Sequence, residues 1–286
     1  MIISASRRTD IPAFYGEWFI DRIKTGSVSV KNPFNSKIVR KVLLNPDAVD
    51  CIVFWTKDPG PFLNKLALLG QYSYYFLFTL TPYDKSLEKN VPPKNELIDT
   101  FRKLSGIIGE TRVIWRYDPI IYTDSINMDY HIKNFKFLAK ELQGHTTKCI
   151  ISFLCMYNKC RKKLQGTGAR ELTEDEMYAL SSKIADIALS CGIAVEACAV
   201  KTDLSACGIN PGSCIDRTLI EKITGKKLEM GRDKNQRKEC NCYESFDIGQ
   251  YNTCRHNCLY CYANKGDNKE PVPLITKNMG AVPLTI

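Results

Sequence analysis

Short apolar runs alternate with amphipathic stretches over the first 200 residues of the chain. The apolar runs are rich in β-branched and aromatic residues and are bounded by turn or capping residues, a pattern typical of buried strands. The six strands predicted in this way are Ile2–Ala5, Cys51–Trp55, Tyr74–Leu80, Arg112–Trp115, Cys149–Leu154 and Ile193–Ala197.

Apolar positions between these strands recur with helical spacing. They predict helices at Ile11–Lys24, Gly60–Leu69, Glu96–Ile108, Asp129–Leu142 and Thr173–Ser190. Residues 27–44 differ and predict a small hairpin around Asn32-Pro33-Phe34-Asn35. Strands that alternate with helices are typical of βα units on a parallel sheet.

Polar residues follow several of the predicted strands. Six strands with right-handed crossovers fit either a doubly wound sheet or an incomplete barrel. α/β barrels build their active sites at the carboxyl ends of strands. We therefore predict an α/β fold, a partial (β/α)6 TIM-like barrel over residues 1–200. The strand-end residues behind this prediction are Arg7, Arg8, Thr9 and Asp10, then Thr56, Lys57 and Asp58, then Arg116, Tyr117 and Asp118, then Glu196 and Cys198, with Asp10 and Asp58 also expected to cap helices.

The alternation fades after residue 200. Residues 201–286 contain one predicted helix, Asp216–Ile223, followed by a polar segment at 230–239, a cysteine cluster and a Pro-containing tail. This part has too few apolar residues for a large core of its own. We therefore predict a cysteine-rich, cluster-binding extension that packs on the barrel mouth through metal ligation.

The composition agrees with a globular chain. Of 286 residues 44% are hydrophobic, which excludes extended disorder, and no apolar run reaches the roughly 18 residues that a membrane helix needs. The short apolar N-terminus is followed at once by arginines, so a soluble cytoplasmic protein is expected. The net charge of +9 is spread along the chain and fits either a solvated lysine-rich surface or a polyanionic partner.

The 13 cysteines indicate metal or redox chemistry, because a reducing cytosol keeps thiols reduced and an odd number would leave one unpaired. Cys254, Cys258 and Cys261 have the spacing C-x3-C-x2-C. Three thiolates this close in sequence can ligate three irons of a [4Fe-4S] cluster and leave the fourth iron open. Zinc and unligated thiols are the alternatives, although His256 is poorly placed to complete a zinc tetrahedron.

The string from Cys254 to Cys261, with Tyr260 before the last cysteine and Tyr262 and Ala263 after it, resembles the cluster-binding motif of the radical S-adenosylmethionine superfamily. The whole chain also resembles the domain-of-unknown-function family DUF1848, through the strings SASRRTDIP at 4–12, WRYDP at 115–119 and DIG at 247–249. One feature departs from the superfamily. There the motif usually follows the first barrel strand, whereas this chain carries it about 240 residues later.

The resemblance implies a [4Fe-4S] cluster whose open iron binds S-adenosylmethionine, and an electron donor such as flavodoxin or ferredoxin. It also implies a 5′-deoxyadenosyl radical that takes a hydrogen atom from an unidentified substrate. Arginine offers a carboxylate a bidentate fork, which favours the strand-end arginines as ligand contacts. The candidate catalytic residues are Arg8, Lys57, Arg116 and Asp118, and the candidate cofactor-binding residues are Tyr260, Arg7, Trp55, Trp115, Tyr117 and Glu196.

Further cysteines could form a second [4Fe-4S] cluster. Cys240 and Cys242 are a close pair, and Cys198 and Cys214 stand in segments that could fold back beside it to supply four ligands. The alternative is a free exposed pair, with the other two as small core residues. Cys191 and Cys207 could replace members of this set as cluster ligands. Cys51, Cys149 and Cys155 are expected to be buried packing residues.

Other enzyme chemistries find no support, since the sequence lacks G-x-G-x-x-G after a strand, a Walker loop, H-E-x-x-H and G-x-S-x-G. Its three histidines, His131, His145 and His256, argue against a multi-histidine hydrolase. The rival from another class is a nucleic-acid-binding protein with a structural zinc or iron–sulfur module beside a basic surface. An enzyme should cleave S-adenosylmethionine, whereas a binding module should lose affinity steeply with salt.

Overall fold

The computed structural model describes residues 1–33, 35 and 37–265 of the chain. Eight strands in this part form one sheet in which every pairing is parallel, and two more form an antiparallel hairpin. The strands are β1 (Ile2–Ala5), β2 (Ser27–Lys31), β3 (Val39–Leu43), β4 (Cys51–Thr56), β5 (Tyr74–Thr79), β6 (Val113–Ile120), β7 (Lys148–Phe153), β8 (Ala194–Ala197), β9 (Asn210–Pro211) and β10 (Phe246–Asp247).

The strand order across the sheet is β10-β1-β4-β5-β6-β7-β8-β9. The middle six strands follow chain order, as consecutive βα units do. β9 and β10 are the two edges, and no pairing within the described ranges closes the sheet. The predicted α/β class and the parallel sheet are confirmed.

Side-chain caps fix the starts of several helices. Asp10 accepts a hydrogen bond from the Ala13 backbone N–H, and Thr173 and Glu176 form a reciprocal capping box. No helix in the described part is both long and apolar enough to cross a bilayer. The α-helices are α1 (Ile11–Phe14), α2 (Gly16–Thr25), α3 (Lys94–Ile108), α4 (Met128–Leu142), α5 (Asn158–Leu164), α6 (Glu174–Ser190) and α7 (Arg217–Thr224), with 3-10 segments at Gly60–Leu69, Glu110–Arg112 and Ser205–Cys207.

The six strands and the hairpin predicted from the sequence are present, although Phe34 of the hairpin turn lies outside the described residues. The predicted first helix is divided at Tyr15, and the segment 60–69 is a 3-10 helix. β6 continues to Ile120, so the residues expected just after this strand lie within it. The two-residue strands β9 and β10 were not predicted, because so short a strand has no periodic signal.

The pleat of the sheet separates two faces. One face packs against α1 to α6, with Phe54, Phe76 and Trp115 in its core. The opposite face, here called the inner face, carries Ile2 and Ile150 in a second apolar cluster. The segment 214–242, which includes α7, packs on the inner face through apolar side chains of its own.

Residues after 200 reach both edges of the sheet. β9 pairs with β8, and β10 pairs in parallel with β1. Residues 248–263, here called the motif loop, follow β10 and carry the three-cysteine motif. Because β10 is parallel to β1, the motif loop begins at the carboxyl ends of the strands. Residues 266–286 of the predicted extension lie outside the described part.

Candidate functional site

A cavity with a volume of about 270 Å³ lies at the carboxyl ends of the parallel strands. Its wall is built from the ends of β1, β4, β5, β6, β7 and β8, from the segment 236–242 and from the motif loop. Parallel α/β sheets bind ligands at this end, because loops that follow different strands meet there. The predicted site residues that line the cavity are Arg7, Arg8, Trp55, Lys57, Arg116, Asp118, Tyr260, Cys198, Cys214, Cys240, Cys242, Cys254, Cys258 and Cys261.

The motif loop is held mainly through its backbone carbonyls. Lys163 Nζ donates to the carbonyl of Cys261 at 2.5 Å and to that of Cys258 at 3.4 Å. The Cys160 thiol, on the same helix as Lys163, donates to the Tyr260 carbonyl at 3.0 Å. These contacts to carbonyls fix the path of the loop, and Cys254, Cys258 and Cys261 line the cavity.

Glu88 fastens the motif loop to the sheet. It is 1% exposed and accepts hydrogen bonds from Lys57 Nζ at 2.7 Å and from the Tyr260 hydroxyl. Glu88 and Cys258 also form an antiparallel backbone bridge. Desolvation opposes ionisation of the carboxyl group, but the cations of Lys57 and Lys94 outweigh it and lower the pKa of Glu88 to about 2. This buried carboxylate is therefore charged.

Asp10 ties the motif loop to the first helix. Its Oδ1 caps α1 by accepting from the Ala13 N–H at 3.0 Å, which confirms the predicted capping role. Its Oδ2 accepts from the Lys57 backbone N–H at 2.7 Å and lies 2.9 Å from His256 Nε2. The His256 ring packs against Phe14, with 4.6 Å between the centroids. The Nε2 atom of His256 is therefore engaged with a carboxylate.

Asp247 joins β10 to the end of β1. Its carboxylate accepts from the Ser6 hydroxyl at 2.5 Å, the Arg7 backbone N–H at 2.8 Å and Arg8 Nε at 3.1 Å. Gly249 donates its N–H to the same carboxylate at 3.0 Å. A Cβ atom at position 249 would lie 2.1 Å from Ser6 Oγ, so the close approach requires glycine. Arg8 therefore forms its ion pair with Asp247 at the cavity wall.

Two guanidinium groups lie over the ring of Trp55. The Cζ atoms of Arg7 and Arg116 are 5.2 Å and 4.8 Å from its centroid. Arg116 also pairs with Asp118 and donates to Thr79 Oγ1 at 3.3 Å. Arg116 Nε and Trp55 Nε1 are buried and have no hydrogen-bond partner within the described residues. Such donors are costly unless a ligand or water satisfies them, so they indicate a place for polar ligand groups.

A second group of cysteines meets at the inner face. The sulfurs of Cys198, Cys240 and Cys242 all lie within 4.8 Å of one another, and Cys214 Sγ lies 3.6 Å from Cys198 Sγ. The backbone N–H groups of Cys214 and Ile215 donate to Cys242 Sγ at 3.2 and 3.5 Å. None of the 13 cysteines, all of which lie within the described residues, forms a disulfide. The structure thus brings together the four cysteines that the sequence analysis grouped.

Trp115 and Tyr117, expected to wall the site, do not reach the cavity. Side chains alternate along β6, so both face the helices while Arg116 between them faces the cavity. Trp115 Nε1 donates to the Leu80 carbonyl at 2.8 Å, and the Tyr117 hydroxyl lies 2.8 Å from His131 Nδ1. The expectation that these two rings contact a cofactor is therefore wrong.

Glu196 is also directed away from the cavity. Its carboxylate pairs with Lys148 Nζ at 2.6 Å, and it is absent from the cavity wall. The roles of Glu88 and Asp247, which hold the motif loop, were not predicted from the sequence. No periodic signal surrounds Glu88, and the string DIG marked Asp247 without indicating its partners.

Comparison with known proteins identifies a family but no activity. The sequence profile described as "Domain of unknown function (DUF1848)" matches residues 2–263. No curated protein matches the chain. Among solved structures, the chain is similar to the protein described as "Crystal structure of a putative alpha-L-fucosidase from Bacteroides thetaiotaomicron VPI-5482". That match has 11% identity and a TM-score of 0.30 over 73% of this chain and 77% of the other.

Proposed function

Because this chain belongs to the DUF1848 family, whose description names no activity, we propose its function from the site: a radical S-adenosylmethionine enzyme with an unidentified substrate. The observation that carries the proposal is the position of Cys254, Cys258 and Cys261. All three line one cavity at the carboxyl ends of the parallel strands. The guanidinium groups of Arg7 and Arg116 share this cavity and suit a carboxylate of cofactor or substrate.

The motif loop fits a cluster with three thiolate ligands. Cys254, Cys258 and Cys261 come from one short stretch of chain, and His256 within that stretch is turned to Asp10. Three ligands from the chain leave one iron for an exchangeable ligand in the cavity. Burial raises the pKa of Cys258 to about 12, so binding of the cluster would displace a proton from this thiol.

Cys254, Cys258 and Cys261 would hold a cluster that, once reduced, would supply the one electron for cleavage of S-adenosylmethionine into methionine and a 5′-deoxyadenosyl radical. The side chains of this protein position the motif loop and the bound ligand and shield the site. Glu88 and Asp10 fix the motif loop on the sheet. Lys57 neutralises Glu88, and the Arg116 Nε, which has no hydrogen-bond partner within the described part of the chain, would donate to an anionic ligand group. Trp55 supplies an apolar wall beside it.

The path of the chain to the motif loop supports the proposal. The superfamily that the motif resembles usually carries its cysteines after the first barrel strand. In this chain the motif loop follows β10, which is late in sequence but pairs in parallel with β1 at the sheet edge. The C-terminal part of the chain therefore delivers the cysteines to the end of the sheet where they would be needed.

We also propose that the sheet is curved, as in a partial TIM-like barrel. Neighbouring strands lie about 4.8 Å apart, so β1 and β8, five steps apart in the strand order, would be about 24 Å apart in a flat sheet. Yet Arg7 after β1 and Cys198 after β8 line the same cavity. Ile2 of β1 and Ile150 of β7 likewise belong to one apolar cluster on the inner face.

Anaerobic purification followed by reconstitution with iron and sulfide tests the proposal. We expect the chain to hold a reducible [4Fe-4S] cluster, to change its EPR spectrum when S-adenosylmethionine is added, and to release 5′-deoxyadenosine. The variant Cys254→Ala/Cys258→Ala/Cys261→Ala should lose about four irons per chain and all cleavage activity.

The matched control replaces two partly exposed cysteines that lie outside both groups and outside the cavity wall, as Cys191→Ala/Cys207→Ala, and should keep iron and activity. An unchanged iron content in the motif variant would refute the cluster assignment. A chain that holds zinc, leaves S-adenosylmethionine intact and binds nucleic acid with a steep salt dependence would instead support the binding-module alternative.

A further inference from the structure

We infer that Cys198, Cys214, Cys240 and Cys242 form a closed site for one tetrahedral, thiol-binding metal ion, with Zn²⁺ as the first candidate. The four thiols come from three segments of the chain. Cys198 directly follows β8, Cys214 precedes α7, and the pair of Cys240 and Cys242 precedes β10. A shared ion would therefore fasten the extension to the inner face of the sheet.

The distances between the sulfurs favour a single ion. Zinc–sulfur bonds of about 2.3 Å in a tetrahedron place neighbouring sulfurs about 3.8 Å apart. Cys214 Sγ lies 3.6 Å from Cys198 Sγ, and the sulfurs of Cys198, Cys240 and Cys242 lie within 4.8 Å of one another. A cubane holds its four thiolates on four different irons and spreads the sulfurs further apart. The second [4Fe-4S] cluster expected from the cysteine count is thus the less favoured occupant.

Backbone contacts set the sulfurs in place before any ion binds. The N–H groups of Cys214 and Ile215 both point to Cys242 Sγ, a contact that stabilises a thiolate ligand. The Cys198 N–H donates to the Ile151 carbonyl at 2.9 Å within the sheet. The Tyr75 hydroxyl donates to the Cys214 carbonyl at 2.5 Å. The site is therefore built on the rigid sheet.

The surroundings suit a closed, negatively charged site. Four thiolates around a divalent ion carry a net negative charge, and Arg7 and Arg116 interact electrostatically with thiols of this group. Ile215, Ile220 and Leu228 pack in the same cluster and leave the far side apolar. With four chain ligands and no open position, the ion would have a structural role.

The test uses the variant that lacks all three motif cysteines, so its result is independent of the radical enzyme proposal. We expect this variant, purified anaerobically, to retain about one zinc or iron ion per chain and no acid-labile sulfide. Adding Cys214→Ser/Cys242→Ser should remove that ion. Adding Cys51→Ala/Cys149→Ala instead, two fully buried cysteines outside the group, should leave it bound.

Cobalt keeps the test decisive where a cysteine variant fails to fold. Co²⁺ exchanged into the motif variant should give thiolate charge-transfer bands and the intense visible bands of tetrahedral cobalt, saturating at about one equivalent. Retention of about four irons with matching sulfide would replace the single ion with a cubane. Absence of both bound metal and the cobalt–thiolate spectrum would show that the four thiols are core residues.

Discussion

Lys57 Nζ lies 2.7 Å from Glu88 Oε1, and this ion pair connects the end of β4 to a carboxylate that contacts the motif loop. Glu88 is 1% exposed, and its carboxylate accepts a hydrogen bond from the Tyr260 hydroxyl. Its backbone forms a bridge with the backbone of Cys258. The placement of the cysteine motif therefore depends on a carboxylate that is remote from it in sequence.

Glu88→Gln should weaken both folding and cluster retention. The substitution leaves Lys57, whose side chain is 13% exposed, without its carboxylate, and loss of one partner of a buried ion pair costs about 3 kcal/mol. Urea unfolding measures the free energy, and iron per chain after reconstitution measures the cluster. Glu96→Gln, at an exposed position on α3, is the control and should change neither. A Glu88→Gln chain as stable as the parent would contradict this role.

Arg116→Lys should preserve the fold and impair the use of S-adenosylmethionine. Lysine keeps the charge and can reach Asp118, but it cannot also donate to Thr79 or offer a fork to a ligand carboxylate. We expect normal iron content and release of 5′-deoxyadenosine about 100-fold more slowly, since misplacement of a bound reactant has effects of this size. Arg112→Lys, just before β6 at its other end, is the matched control. Full activity in Arg116→Lys and Arg116→Gln would limit Arg116 to packing.

The sequence predicted the parts of the fold that have local signals. Six strands follow from short runs rich in β-branched and aromatic residues, and Arg116 and Lys57 were found because they stand near strand ends. The predicted strand ended at Trp115, whereas β6 continues to Ile120, and its alternation turns Trp115 and Tyr117 to the face opposite Arg116.

The rest of the site depends on contacts between distant segments. Glu88 meets Tyr260 172 positions away, and Ser6 meets Asp247 241 positions away. β10 has only two residues, so neither its pairing with β1 nor the resulting course of the motif loop has a periodic signal. The pattern of one sequence does not encode such pairings in any local feature.

His131 should make stability depend on pH. It is fully buried, and its Nε2 lies 2.9 Å from the Ile121 carbonyl. Desolvation lowers its pKa from 6.5 to about 4, against the opposing hydrogen bond to Ile121. The contribution of His131 to the free energy of unfolding is therefore complete above pH 6.5. It declines as the unfolded chain takes up a proton and is lost by about pH 4. A shift of this size corresponds to about 3 kcal/mol.

Urea unfolding at several pH values across this window measures the effect. His131→Gln should be less stable at neutral pH and should have a shallower loss of stability on acidification. His145→Gln, at a half-buried position, is the control and should keep the parent slope. An identical slope in His131→Gln would place the titrating group elsewhere. The rings around His131 are those of Tyr83, Tyr117, Tyr122 and Tyr130, and burial raises the pKa of each, so none titrates in this window.

Gly249→Ala should push β10 away from β1. A Cβ atom there would lie 2.1 Å from Ser6 Oγ, and Ser6 is held by its hydrogen bond to Asp247. We expect a loss of about 2 kcal/mol in the free energy of unfolding, and less iron after reconstitution because the motif loop follows β10. Gly231→Ala, where the nearest atom is 3.8 Å away, is the control and should be nearly neutral.

Because the clash is with Ser6, Gly249→Ala in a Ser6→Gly background should cost less, with a coupling energy of about 1 kcal/mol in a double-mutant cycle. Equal costs in the two backgrounds would show that the contact between these two positions does not set the position of β10.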